Sequence, residues 1–155
     1  EKIEVVMHPQ SIIHSFVEYI DGSSLSQLGK PDMRVPIAYA LGYPNRISSG
    51  VNGVLLDKLT SLEFFKPDLK KFRCLDLSYQ SLAMGTVHCI NLNASNEIAV
   101  EAFLSGRINF IQIPELIEKT LLKAVPSEVN SVEQILEIDI MARVEANKIL
   151  NKLVN

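Results

Sequence analysis

The sequence contains no tryptophan, and aromatic residues make up only 6% of its 155 positions. Its core must therefore be mostly aliphatic. Cysteine is equally sparse. Cys74 and Cys89 are the only two, and their spacing matches no CxxC or other metal-ligand pattern. A structural disulfide is the less favoured reading of the pair, and reduced cytosolic thiols are the default. No apolar run approaches the ~20 residues of a membrane-spanning helix, and no signal-peptide pattern opens the sequence. Neither sign of charge dominates: the net charge is −3 and the isoelectric point about 5.6. Lys and Arg are scattered apart from a knot between Lys66 and Arg73, so the basic face that nucleic-acid binding requires is missing. Ser-His-Asp, P-loop and GxGxxG patterns are absent as well, and no acid-rich cluster or carboxylate pair stands out.

The hydrophobic content of 47% and charged content of 21% are those of a globular protein. The chain begins at Glu1 without an initiator Met, inside the strand-like run Ile3–Met7, and its candidate chemistry is concentrated early. This is the expected texture of the C-terminal portion of a larger enzyme. Pro9 ends the first run, and Gln10–Ile13 has room for a short helical turn. His14, Phe16, Glu18 and Ile20 then alternate with Ser15, Val17 and Tyr19. After Asp21-Gly22 the chain returns through Ser24–Leu28. Asp-Gly between two such runs predicts a hairpin with a two-residue type I′ turn. That register places Ile20 opposite Ser23, Glu18 opposite Leu25 and Phe16 opposite Gln27. An isolated hairpin is marginal in water, so this one is expected to belong to a larger sheet or to pair with another chain.

Residues 36–69 hold Pro36, Pro44, Pro67, Gly42, Gly50 and Gly53. They read as a long linker with one short helix, Pro36–Leu41. From residue 70 the pattern is helical. One helix carries Leu75, Leu77, Leu82 and Ala83 and ends at Gly85. Asn93–Asn96 offer caps for a second helix over Glu97–Leu104, closed by Gly106. Pro114 opens a third. Ser131-Val132-Glu133-Gln134 forms a capping box before a short fourth helix, and Asp139 caps the last. The fold class is thus α+β: a hairpin or sheet remnant of an α/β catalytic domain over 1–35, a linker over 36–69 and a bundle of four to five helices over 70–155.

Each candidate chemical group has a plain reading beside the functional one. His8 and His14 lie six residues apart, a spacing that fits neither helical nor strand ligation. A structural role, or a supporting role in which a ring N–H steadies a metal-binding carboxylate, suits them better. Pro31-Asp32-Met33-Arg34 is a turn by composition. Alternatively, Pro31 and Met33 form an apolar ledge for a flat ring such as a nicotinamide. Asn91, Asn93, Asn96 and Glu97 are explained by capping, and His88 by packing.

The block MHPQSIIHSFVEYIDGSSLSQLGKPDMRVPIAYALGYPNRI, residues 7–47, resembles the 1-deoxy-D-xylulose 5-phosphate reductoisomerase family. The likeness continues in LNASNEIAVEAFL, residues 92–104, and in the helical tail. Val35 stands where Thr is usual and Ser95 where Ala is usual; neither changes a reacting group. The resemblance implies an NADPH-dependent enzyme of the non-mevalonate isoprenoid route, working on a sugar phosphate with Mg or Mn, whose metal-binding acids lie upstream of Glu1. It implies that Pro31 and Met33 contact the nicotinamide, that His14 supports a metal-binding glutamate and that His8 is its neighbour. It further implies a homodimer formed through the sheet, an inactive fragment when this chain is alone, and a bacterial cytoplasmic or plastid location. The competing expectation is a non-enzymatic dimerisation or interaction module.

Overall fold

A computed structural model describes residues 3–154. The chain divides after Pro67 into two compact units. The first holds strands β1 (Ile13–Glu18) and β2 (Ser24–Leu28) and helix α1 (Arg34–Gly42), followed by a 3₁₀ turn at Leu56–Lys58. The second holds α2 (Arg73–Met84), α3 (Thr86–Leu104), α4 (Gln112–Leu121) and α5 (Val132–Val154). No helix among the described residues is long and apolar enough to cross a membrane.

The hairpin forms, but with a different turn. Tyr19 N–H donates to Ser23 O at 2.9 Å and Gly22 N–H to Tyr19 O at 3.0 Å, so Ile20, Asp21 and Gly22 form a three-residue loop. Of these only Gly22 has positive φ, at 84°, whereas a type I′ turn needs it at both central positions. The Asp21 carboxylate accepts from the backbone N–H and the hydroxyl of Ser23, at 2.8 and 2.6 Å. Those bonds favour the longer loop. The register accordingly moves by one residue from the expected pairing: Val17 faces Leu25, Phe16 faces Ser26 and Glu18 faces Ser24. Between Ile13 and Ser15 the ladder is irregular, leaving His14 as the extra residue of a bulge.

Two further expectations fail in this unit. Ile3–Val6 forms no strand among the described residues; only Met7 pairs, with Phe65. Gln10–Ile13 is not helical, because Ser11 N–H closes a turn onto His8 O at 3.0 Å and Ser11 takes φ 49°. Helix α1 starts at Arg34, so Pro36 is its third residue. That position still lies in the first turn, where backbone N–H groups have no helical partner to lose.

The second unit contains every buried residue among those described. Its core joins Leu77, Ala99, Ala102, Ile113, Leu116, Ile117, Ala146 and Leu150, aliphatic as the composition demands. Gly85 ends α2 at φ 102°, a conformation that L side chains resist. Helix α3 runs unbroken through Asn93–Asn96, so these residues do not cap it. The polar side chains bond within the helix instead: Asn91 Nδ2 to Val87 O at 2.9 Å and the Ser95 hydroxyl to Asn91 O at 2.6 Å. Ala94, Ser95, Ala99 and Ala102 are fully buried, and this packing overrides the local capping preference.

Helix α5 is likewise one element rather than two. The Ser131 hydroxyl accepts from Gln134 N–H at 3.2 Å at its start. Asp139, expected as a cap, lies mid-helix and pairs with Arg143.

Candidate functional site

Of the expected site residues of the first unit, His8 and His14 line one trough, and Pro31 and Met33 are not among its lining residues. Met7 and Phe65 exchange backbone hydrogen bonds of 2.8 and 3.0 Å, which brings residues 63–65 against 7–10. His8 Nδ1 lies 2.8 Å from Glu63 O. A carbonyl only accepts, so Nδ1 carries the proton. The ring stacks on Phe64 at 4.8 Å, and Phe64 meets Phe16 of β1 edge-on at 5.4 Å. His8 Nε2 is buried without a partner. His8 is therefore tied into the fold, in keeping with a structural or supporting role.

His14 lines the same trough, with Glu4, Ser15 and Glu18 along the walls. It is exposed, and its ring lies over Gly29, where an added Cβ would sit 3.6 Å from Nε2. Bulges re-aim side chains, and here the bulge presents an imidazole with no partner assigned by the hairpin itself. Among the described residues no group of three or more His, Cys, Asp or Glu could hold a metal ion.

Pro31–Arg34 is a turn that leads into α1, so the compositional reading holds for the backbone. Asp32 N–H donates to Lys30 O at 2.8 Å and Val35 N–H to Asp32 O at 3.1 Å. Asp32 accepts from the Arg34 backbone at 2.9 Å and from its guanidinium at 2.7–3.2 Å. The Arg34 side-chain and backbone hydrogen bonds hold the Asp32 carboxyl at about 2. The clamp fixes the residue between them, Met33, which is 71% exposed. Met33 fills no gap in this chain; with the exposed Pro31 it offers bare apolar surface. Such a face fits the flat ring of a nicotinamide.

In the second unit the polar groups are spent on packing. Arg143 bridges Asp139 and Glu97, each at 2.6 Å, and those hydrogen bonds raise its pKa further. Arg73 likewise pairs with Asp76 and Glu118. Glu97, despite its asparagine-rich surroundings, is therefore a tie between α3 and α5. His88 is 7% exposed with Nδ1 unpartnered. The residues that sequence reasoning missed are Gln10, Glu63 and Phe64: they meet across more than fifty positions, and no spacing announces such a contact.

The profile of the DXP reductoisomerase C-terminal domain matches residues 28–145. The chain is 53% identical over 153 residues to 1-deoxy-D-xylulose 5-phosphate reductoisomerase of Trichlorobacter lovleyi, covering 99% of this chain and 39% of that protein. It is 53% identical over 146 residues to the protein of the same name from Methylobacillus flagellatus, covering 94% and 37%. Among solved structures it is similar to the Zymomonas mobilis reductoisomerase in complex with NADPH, with TM-score 0.82 and 41% identity over 95% of this chain and 39% of that one. A DOX-P reductoisomerase in complex with NADPH, fosmidomycin and magnesium gives TM-score 0.82 at 46% identity, covering 94% and 38%. The chain thus spans under two fifths of the length of these relatives.

Proposed function

The chain belongs to the DXP (1-deoxy-D-xylulose 5-phosphate) reductoisomerase family, and we propose that it forms the C-terminal part of an enzyme that rearranges and reduces 1-deoxy-D-xylulose 5-phosphate to 2-C-methyl-D-erythritol 4-phosphate, in the non-mevalonate isoprenoid route. The observation that carries this reading is the family match through residues 28–145, which includes the exposed Met33 ledge. When bound, NADPH supplies the hydride, and a divalent Mg or Mn ion polarises the substrate carbonyl. The chain's own residues bind and orient. Pro31 and Met33 lie against one face of the nicotinamide and keep water from it, while the Asp32–Arg34 clamp holds the ledge in place. His14, displaced outward by its bulge, gives a ring N–H to a metal-binding carboxylate outside this chain. His8 stays beside it, fixed through Nδ1.

In this reading residues 1–35 end the central catalytic domain, 36–69 connect and 70–155 form the helical bundle. The lack of any buried residue among 3–67 supports the view that the first unit packs on the rest of the enzyme and on a second copy. A two-stranded sheet has both edges free to extend, and a homodimer through the sheet uses one. The activity belongs to the assembled enzyme, and this chain alone is inactive. The location is the cytoplasm, in keeping with the bacterial relatives; a plastid location would require a transit peptide.

In the enzyme, Met33→Ala raises KM for NADPH roughly fivefold, since removing the thioether stem takes away about 1 kcal/mol of apolar contact with the ring. The melting temperature stays the same, because the side chain is 71% exposed. Steady-state kinetics with varied NADPH check this; unchanged constants would remove Met33 from the cofactor site.

A further inference from the structure

The trough depends on a segment far from it in sequence. Residues 63–65 reach the trough by four separate contacts. Phe65 pairs with Met7 in both directions, at 2.8 and 3.0 Å. Glu63 O receives the His8 ring proton at 2.8 Å. Gln10 closes a reciprocal pair, its Nε2 donating to Glu63 Oε2 at 2.8 Å and its Oε1 accepting from Glu63 N–H at 3.2 Å. Phe64 is thereby set between His8 and Phe16, at 4.8 and 5.4 Å. Phe16 belongs to β1, whose one strand neighbour is β2.

We infer that residues 63–65 are a positioning strap, in which the Gln10–Glu63 clasp and Phe64 fix His8 and β1 and thereby aim the bulged His14. The physical argument is one of support. A bulge weakens the ladder where it occurs, and a two-stranded sheet with no buried residue cannot hold an imbalanced strand by packing alone. The strap supplies the missing restraint, with three side-chain hydrogen bonds to His8 and Gln10 just ahead of the strand that carries His14 and an aromatic contact to Phe16 on it. Catalytic placement tolerates only a fraction of an ångström, so a looser β1 costs turnover before it costs folding. Glu63, Gln10 and Phe64 act through His8 and β1 and touch no substrate. The inference rests on the reductoisomerase reading for its functional consequence, and on the clasp geometry alone for its structural one.

The test uses the full-length enzyme. Gln10→Glu sets a second carboxylate against Glu63 and opens the clasp. Hydrogen exchange of peptides covering the Met7 and Phe65 amides is expected to accelerate about tenfold, and kcat at saturating substrate, NADPH and magnesium to fall about three- to tenfold, a typical loss for one broken networked contact. The exchanged pair Gln10→Glu with Glu63→Gln restores an acid–amide clasp, and both quantities are expected to return toward wild type. The inference is overturned if exchange does not change in Gln10→Glu, if exchange accelerates with kcat intact, or if the exchanged pair rescues neither. His14→Ala is measured alongside. If it turns over normally, the reading of His14 fails and the positioning role fails with it, while accelerated exchange in Gln10→Glu leaves only the clasp geometry standing.

Discussion

Leu116→Ala lowers the unfolding free energy of the helical unit by about 3 kcal/mol, within the ~2–5 kcal/mol range for a buried leucine cut to alanine. Leu116 is 0% exposed and sits in one cluster with Leu77, Ile113, Ile117 and Leu150. Neighbours fixed on four helices collapse only partly into the void, and the lost contacts add to the lost transfer energy. Against a total stability of about 5–15 kcal/mol, that is a large fraction. Ile20→Ala provides the contrast: Ile20 is at the hairpin tip, fully exposed, and its loss changes stability by less than about 0.5 kcal/mol. Urea unfolding followed by circular dichroism reads both. A Leu116→Ala effect as small as that of Ile20→Ala would mean that the four helices do not share the core described above.

His14→Ala in the full-length enzyme lowers activity at limiting magnesium about 10- to 100-fold, the usual cost of removing a group that orients a metal ligand. Raising the magnesium concentration recovers part of the loss, because the carboxylate remains and only its orientation is degraded. His14→Gln, which can still donate a hydrogen bond from near the Nε2 position, retains more activity than the alanine variant. Magnesium titrations of initial rate separate the cases. Equal activity of wild type and His14→Ala at every magnesium concentration would show that the bulged histidine supports no ligand.

The parts of this fold written in local chemistry were legible in the sequence. Asp21-Gly22 announced the hairpin, and Gly85 the end of α2, because only glycine takes those backbone angles readily. The apolar spacing after residue 70 announced a helical unit with an aliphatic core. The parts decided by competition were not. Asp21 beside Gly22 predicts a two-residue turn, yet its carboxylate bonds to Ser23 and lengthens the loop. That single residue reverses which side chains face which. Asn93–Asn96 and Asp139 carry strong capping chemistry, but burial of Ala94 and Ser95 and the Arg143 ion pairs keep α3 and α5 unbroken through them. In the first unit, the sequence singles out Met33 and the two histidines as candidates, whereas the Gln10–Glu63 clasp leaves no signal in it. Hydrogen bonds across fifty residues leave no periodicity to read.

The central claim is that this chain supplies a cofactor ledge and a supporting histidine to a site that the rest of a reductoisomerase completes. The most direct measurement is NADPH oxidation with 1-deoxy-D-xylulose 5-phosphate and magnesium, run in parallel on the 155-residue chain and on the longer polypeptide that contains it. The account predicts turnover by the longer polypeptide and none by the chain alone. Turnover by the 155-residue chain, or its absence from the longer polypeptide, would contradict the account.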